Sequence, residues 1–257
     1  MKKIFILLLL LYLPLAYGSL EIFAYYDYSF GQVTGFTQIP RGGSLGTTSF
    51  EAPTFKDSNI KHDSFYEAGV GIQFDHYFAL LDYWDINPRG TDLLQQNLIT
   101  HNHFIPANSE FKMELNYQWY RLGLGKEFPI TDKLTFSPIL YGGWLQFLYE
   151  FYAYPANSSR FFTLLSVLAG IQLEYHFTEK LTGFIEACGT LPLSHLEIFT
   201  GKMGLSYEMI KNAHFKLLPS LGVTVLQIDY EDTQFIPNHF RYTAKPHVTL
   251  GFIMVLS

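Results

Sequence analysis

The sequence predicts an all-β fold: a transmembrane, antiparallel, up-and-down β-barrel of about ten strands, with eight or twelve also possible. Long segments alternate apolar and polar residues, which is typical of strands whose two faces meet different media. Aromatic residues make up 18% of the chain and charged residues only 16%, and transmembrane barrels need aromatics at both edges of their apolar band. Beyond the first residues, no apolar run is long enough for a membrane-spanning helix.

The segment 161–177 shows the alternation most fully. From Phe161 to Phe177 the odd positions are nearly all apolar, whereas from Ser166 onward the even positions are polar or small. The segment is much longer than the roughly five or six residues of an ordinary globular strand. Because backbone polar groups in hydrocarbon must all be paired, strands can cross a membrane only as a closed barrel. A soluble all-β domain with an aromatic-rich core is the competing interpretation.

The chain begins with the pattern of a secretory signal peptide. Lys2 and Lys3 precede the apolar segment 4–15, and residues 16–18 form a small-x-small cleavage site. We therefore expect residues 1–18 to be a signal peptide and residues 19–257 to form the barrel domain. The net charge of −6 argues against nucleic acid as a partner.

Ten strands are predicted in order, with short turns alternating with longer loops. The predicted strands are Leu20 to about Gln38, Tyr66–Phe74, Tyr77 to about Trp84, Phe111–Leu124, Leu134–Tyr152, Phe161–Phe177, Leu181 to about Phe199, Lys202–Met209, His214–Tyr230 and a last strand ending at Leu256. The short turns lie near Asp75, Pro129, Glu179 and Asn212. We expect the long loops, 39–63 and 85–109, to meet the exterior, and within the second we expect an extended hairpin that closes at 105–108.

In two strands the alternation assigns an apolar face to lipid. The residues assigned to lipid are Phe111, Met113, Leu115, Tyr117 and Trp119 in the fourth strand and Ile139, Tyr141, Leu145, Phe147, Tyr149 and Phe151 in the fifth. Leu122 and Leu124 must then also face lipid, and they have the opposite parity. We therefore expect a β-bulge at Tyr120-Arg121 that resets the alternation.

The last strand alternates apolar residues from Val248 to Leu256 with His247, Thr249 and Gly251. It resembles the C-terminal strand of bacterial outer-membrane β-barrel proteins, although that family usually ends in an aromatic residue and this chain ends in Leu256-Ser257. The resemblance implies export to the cell outer membrane of a Gram-negative bacterium. It also implies two partners, outer-membrane lipid and the barrel assembly machinery, the latter through this strand. The extracellular ligand stays unknown.

Charged residues on the inward faces are the first candidates for function. The predicted register places in the lumen Asp27, Glu67, Lys112, Glu114, Arg121, Glu150, Glu174, His176, Glu186, Lys202, Glu208 and Lys216. A charge inside a narrow barrel is costly unless it is paired, so we expect a packed network that fills the lumen. The alternative is a small porin-like channel whose charges set ion selectivity, but ten strands leave little free width.

A rim hydrolase is the second alternative. Outer-membrane proteases of the omptin family use paired aspartates and an Asp-His pair at the extracellular rim. Asp82 and Asp85 at the end of the third strand, with Asp229, Asp232 and His239 near the ninth, are residue types that can activate water. The sequence between Asp82 and Asp85 does not match that family's motif.

Three further motifs carry less chemistry. His62-Asp63-Ser64 has the His-x-Ser spacing of outer-membrane lipid A deacylases, but no Glu is evidently placed to orient His62. His101 and His103 supply two imidazoles, which do not make a metal site.

The glycine-rich run 41–44 precedes no helix and is not a phosphate loop. The single cysteine, Cys188, excludes a disulfide framework. We expect no metal, no cofactor and a structural or surface-exposed barrel rather than an enzyme.

Overall fold

The structure is a computed structural model that describes residues 20–38, 54–94, 97–100, 103–154, 156–234 and 237–256. Over these residues the chain forms fifteen strands: β1 (Leu20–Gln38), β2 (His62–Phe74), β3 (Tyr77–Ile86), β4 (Arg89–Leu93), β5 (Leu98–Thr100), β6 (His103–Ile105), β7 (Glu110–Lys126), β8 (Phe128–Pro129), β9 (Leu134–Ala153), β10 (Ala156–His176), β11 (Leu181–Thr190), β12 (Leu196–Tyr207), β13 (Ile210–Lys211), β14 (Phe215–Glu231) and β15 (His239–Leu256). No helix among these residues is long and apolar enough to cross a membrane.

Ten of the strands close into one barrel. Each of β1–β3, β7, β9–β12, β14 and β15 pairs antiparallel with its neighbours in chain order, and β1 pairs with β15. The predicted all-β, up-and-down barrel of ten strands is therefore confirmed. The predicted signal peptide lies outside the described residues and stays a prediction.

The barrel has two unlike ends. At the turn end lie Leu20, Leu256 and the connections 75–76, 127–133, 177–180 and 208–214. At the loop end lie the described parts of five connections: 54–61 between β1 and β2, 87–94 with 97–100 and 103–109 between β3 and β7, 154 between β9 and β10, 191–195 between β11 and β12, and 232–234 with 237–238 between β14 and β15. Within the second of these, β4 pairs with β7, and β5 and β6 form a separate hairpin.

On the turn-end half, the outer face of the wall is apolar. Cross-strand partners line up in rows, one of which contains Ile22, Ile72, Ala79, Leu124 and Leu140. Two rows nearer the loop end comes an aromatic row formed by Tyr26, Tyr83, Tyr120 and Trp144. The next row contains Asp85, Gln118 and Gln146. The apolar exterior thus ends at an aromatic border, as at a membrane interface.

Beyond the aromatic row, aromatic side chains fill the interior instead. The Phe147 and Phe240 ring centroids lie 4.0 Å apart, and Tyr117 approaches Tyr242 to 5.5 Å. The second contact crosses the barrel, because β7 and β15 are not neighbours in the wall. We call this layer the aromatic plug and define it as Tyr117, Phe147, Phe162, Tyr230, Phe240 and Tyr242.

The lipid-facing assignment on β7 and β9 was therefore wrong. The residues concerned point into the barrel and are buried: Phe111, Met113, Leu115, Tyr117, Trp119, Ile139, Tyr141, Leu145, Phe147, Tyr149 and Phe151. The pairing of β7 with β3 and β9 runs through Tyr120 and Arg121 without a shift, so the predicted bulge there is also wrong. Past the aromatic row the wall of β7 and β9 has an apolar core inside and mainly polar residues outside, which reverses the expected pattern.

The register shift lies in β15 instead. Phe30 opposes Val248 and Val33 opposes Ala244, which leaves one extra residue on β15 near Pro246. Proline has no N–H for the ladder, which favours a bulge at this position. The shift lets residues of both parities, such as Tyr242 and His247, point inward.

Two further boundaries differ from prediction, and one segment agrees closely. The predicted seventh strand was too long, because residues 191–195 form a turn between β11 and β12. The hairpin predicted to close at 105–108 instead pairs Thr100 with His103. On β10 the predicted register is confirmed, with Leu165 72% exposed and Ser166 buried.

Candidate functional site

Six charged side chains from six strands meet inside the barrel beside the aromatic plug. This lumen cluster consists of Asp27, Glu67, Asp82, Arg121, Glu186 and Lys202. Arg121 donates from Nε to Asp82 Oδ1 at 2.7 Å and from Nη2 to Glu67 Oε1 at 3.0 Å. Lys202 Nζ donates to Glu67 Oε2 at 2.7 Å and to Asp27 Oδ2 at 2.5 Å. Glu67 thus links the two cations.

Four members of the cluster, Asp27, Glu67, Asp82 and Arg121, are buried, and Arg121 lies against aromatic rings. Arg121 is 1% exposed, and its guanidinium carbon lies 4.7 Å from the Trp119 ring centroid and 5.2 Å from that of Trp84. Buried charges are tolerated when they are paired and hydrogen-bonded. Four carboxylates face two cations, so the arrangement fixes strand positions and leaves no cation available for a substrate.

Several of the other predicted lumen residues face inward near the turn end. Glu174 accepts a hydrogen bond from Gln172 Nε2 at 2.7 Å, and Lys216 pairs with Glu21 at 3.1 Å. His176 lies exposed at the turn-end mouth. These side chains and the lumen cluster account for eight of the twelve predicted positions.

The remaining four do not line the lumen. Lys112, Glu114 and Glu150 lie on the outer face of the loop-end half, where Lys112 Nζ pairs with Glu114 Oε1 at 2.7 Å. They were misplaced because the phase of β7 and β9 was inverted. Glu208 lies in the turn-end connection after β12, where its carboxylate is 3.6 Å from Lys211 Nζ.

The structure separates the two aspartates proposed as a catalytic pair. Asp82 belongs to the lumen cluster and is 2% exposed. Asp85 lies on the outer face and accepts hydrogen bonds from Tyr66 Oη at 2.8 Å and from Asn87 Nδ2 at 2.7 Å. Residues three apart on a strand point to opposite faces, so the separation of Asp82 and Asp85 could have been predicted from their spacing.

Asp229 and His239 do come together, on the outer face near the loop end. The His239 Nε2 atom lies 2.9 Å from Asp229 Oδ1, while Arg241 Nε donates to Asp229 Oδ2 at 2.7 Å. The other proposed aspartate, Asp232, is held in its own loop by Asn238. Both oxygens of Asp229 are therefore engaged, and a catalytic role for these residues stays a prediction.

A cleft of about 560 Å³ opens on the outer face just beyond the aromatic row. We call it the outer cleft; its lining includes Tyr28, His62, Ser64, Tyr66, Asp85 and Arg89. His62 and Ser64 share the outer face of β2. Among the described residues, no carboxylate accepts a hydrogen bond from the His62 ring, so the orienting acid of a deacylase is absent from that part of the chain. His101 lies outside the described residues.

Within the described ranges, no group of three or more His, Cys, Asp or Glu residues could hold a metal ion.

Comparison with known proteins gives likenesses of architecture. No protein-family model and no curated protein matches the chain. The outer-membrane protease OmpT of Escherichia coli superposes with a TM-score of 0.49 at 8% identity, over 91% of this chain and 97% of that one. The autotransporter AIDA-I transport unit of Escherichia coli gives 0.41 at 8%, over 93% and 89%. The NalP translocator domain of Neisseria meningitidis gives 0.39 at 14%, over 93% and 89%.

The class of protein follows from the barrel itself. Its ten strands close on themselves. Its wall is apolar outside on one half and more polar outside on the other, with an aromatic row between them. The chain is a transmembrane antiparallel β-barrel, and it resembles bacterial outer-membrane barrels at the level of architecture.

Proposed function

We propose that the chain is a non-conducting protein of the bacterial outer membrane that presents the loop-end half of its barrel at the cell surface. Signal-directed export would deliver it, with the turn end in the periplasm. The observation that carries the proposal is the filling of the interior. The lumen cluster and the aromatic plug occupy successive levels of the barrel interior.

The loop-end half supports a surface role. On β7 the strand continues for about ten residues beyond Tyr120, to Glu110, which at about 3.4 Å per residue is roughly 34 Å of strand. Its outer face carries polar residues such as Asn116 and Gln118, whereas its inner face is a packed core. That arrangement suits a structure that stands in water.

Planar-bilayer recording of the refolded barrel tests the closed lumen. Folding is checked first by the difference in gel mobility between unheated and boiled samples. We expect silence at all applied voltages, because two layers of side chains fill the path. A steady, salt-dependent conductance from the folded barrel would contradict the proposal and favour the porin-like alternative.

Cysteine labelling of whole cells tests localisation and orientation. Gln146→Cys lies on the outer face beyond the aromatic row, and Asn212→Cys lies in a turn-end connection. A membrane-impermeant maleimide should label the first variant and not the second. The native Cys188 is 2% exposed and gives little background. The reverse labelling pattern would overturn the orientation, and no labelling of either would overturn surface exposure.

A further inference from the structure

We propose that the outer cleft binds the phosphorylated headgroup of a membrane lipid. The inference rests on the proposed placement of the barrel in the outer membrane. The cleft has a volume of about 560 Å³, which lies within the range of roughly 300–1,000 Å³ typical of small-ligand sites. That volume is suited to a headgroup rather than to a lone inorganic anion.

The position of the outer cleft matches the depth of lipid headgroups. Tyr28 and Tyr66 are cross-strand partners at its lower edge. The Tyr66 ring lies 6.1 Å from that of Tyr26 and 6.0 Å from that of Tyr83, both in the aromatic row. Below this edge the exterior is apolar, so the chains of a bound lipid would lie against the wall while its headgroup entered the cleft.

Two side chains that can carry positive charge border the cleft without partners. In the described part of the chain, neither Arg89 nor His62 has a side-chain hydrogen bond or ion pair. Arg89 lies opposite Glu114 on β7, but that carboxylate is engaged by Lys112 at 2.7 Å. The planar guanidinium of Arg89 is therefore free to make the paired hydrogen bonds that phosphate accepts.

Polar groups beside Arg89 and His62 suit the rest of a headgroup. The Ser64 hydroxyl can donate to a phosphate oxygen or accept from a sugar hydroxyl. The carboxylate of Asp85 holds Tyr66 and Asn87 in place and keeps acceptor capacity for a hydroxyl or amine. The combination of guanidinium, imidazole, hydroxyl and carboxylate fits a phosphorylated headgroup that also bears hydroxyl groups.

The strand that carries Arg89, β4, packs closely against the segment 54–60. A Cβ atom on Gly90 would lie 2.1 Å from the backbone oxygen of Ser58 and 2.7 Å from Ile60 Cγ1. Glycine therefore allows β4 to approach the segment 54–60, which is closed on itself by the Thr54–Asp57 hydrogen bonds. This contact fixes the position of Arg89 at the mouth of the cleft.

Native mass spectrometry of the full folded barrel, released from detergent in the presence of lipid A, tests the inference. Lipid A is a phosphorylated sugar with acyl chains, and inorganic phosphate serves as the free-anion probe. Arg89→Gln should lower lipid A affinity by roughly tenfold or more, the loss expected for charge-assisted hydrogen bonds. Lys180→Gln, which removes the same charge at the turn end, should bind like the parent.

Equal binding by the parent and Arg89→Gln would overturn the inference, provided that the gel shift shows both folded. His62→Gln gives a second, independent loss at the same cleft. If inorganic phosphate displaced lipid A at equal concentration, the site would be one for free anions and the lipid assignment would fail. A silent, folded barrel without lipid adducts would refute only this inference, whereas a conducting barrel with adducts would refute only the proposed function.

Discussion

Arg121 Nε lies 2.7 Å from Asp82 Oδ1 inside the barrel, and this buried ion pair holds β3 to β7 within the lumen cluster. On one side Arg121 reaches Glu67 and the rest of the lumen cluster. On the other side its guanidinium lies 4.7 Å from the ring centroid of Trp119, which is two residues from Tyr117 of the aromatic plug on β7. One side chain thus contacts both the carboxylates of the cluster and the aromatic rings beside them.

Removing Arg121 should destabilise the barrel strongly. Arg121→Met leaves buried carboxylates without their cation, which costs about 3–5 kcal/mol. Glu186→Gln removes one of four carboxylates that face two cations. It should leave the free energy of unfolding unchanged or raise it slightly. Urea unfolding of both variants in lipid vesicles measures the difference. Equal losses would contradict the charge balance described for the cluster.

The aromatic row should mark the limit of tolerance for charge on the outer face. Leu140 and Gln146 both point outward on β9, on opposite sides of Trp144. Leu140→Arg should make the free energy of insertion less favourable by about 2–4 kcal/mol, because the guanidinium enters the apolar band. Gln146→Arg should insert like the parent. The heat-modifiable fraction after refolding into vesicles reports insertion, and similar yields for both variants would place the membrane border elsewhere.

Much of the fold could be predicted from period-two alternation. The first strand was predicted as Leu20 to about Gln38, and β1 has those bounds; the lipid face of β10 was also correct. On these strands the apolar residues face lipid along the turn-end half. The positions of short turns rich in polar residues, such as the one at Asp75, were also predicted correctly.

The loop-end half could not be assigned in the same way. Alternation shows that two faces differ, but it does not show which one meets water. On β7 the apolar face is inside from Phe111 to Trp119, whereas Leu122 and Leu124 are apolar and outside. The switch occurs because the strand leaves the apolar band. The strand itself continues without a bulge across this border, so its period-two pattern does not mark where the surrounding medium changes. The outer cleft depends on contacts between β4 and segment 54–60, which one strand's pattern does not contain.

Gly251 gives Asp27 the room that its carboxylate needs. A Cβ atom at Gly251 would lie 1.7 Å from Asp27 Oδ1 and 2.7 Å from the backbone oxygen of Tyr26. Gly251→Ala should therefore displace Asp27 from Lys202 and cost about 1–3 kcal/mol. At Gly142 an added Cβ meets nothing within 4 Å, so Gly142→Ala should stay within about 0.5 kcal/mol of the parent. Midpoints of urea unfolding compare the two.

Asp63, which lies beyond the aromatic row, should make stability depend on pH. Burial raises the pKa of the Asp63 carboxyl from 3.8 to about 6, although hydrogen bonds from the Ser64 N–H and the Tyr242 hydroxyl oppose the shift. The folded state then holds the proton more tightly than the unfolded state, so stability falls as pH rises from about 4 to about 6, by up to about 3 kcal/mol.

Asp63→Asn keeps an acceptor for Tyr242 and removes the titration. The variant should be more stable than the parent at pH 8, and the difference should close towards pH 4. Unfolding free energies across this range measure it, with Asp132→Asn in an exposed turn-end connection as control; a difference that is constant with pH would refute the assignment.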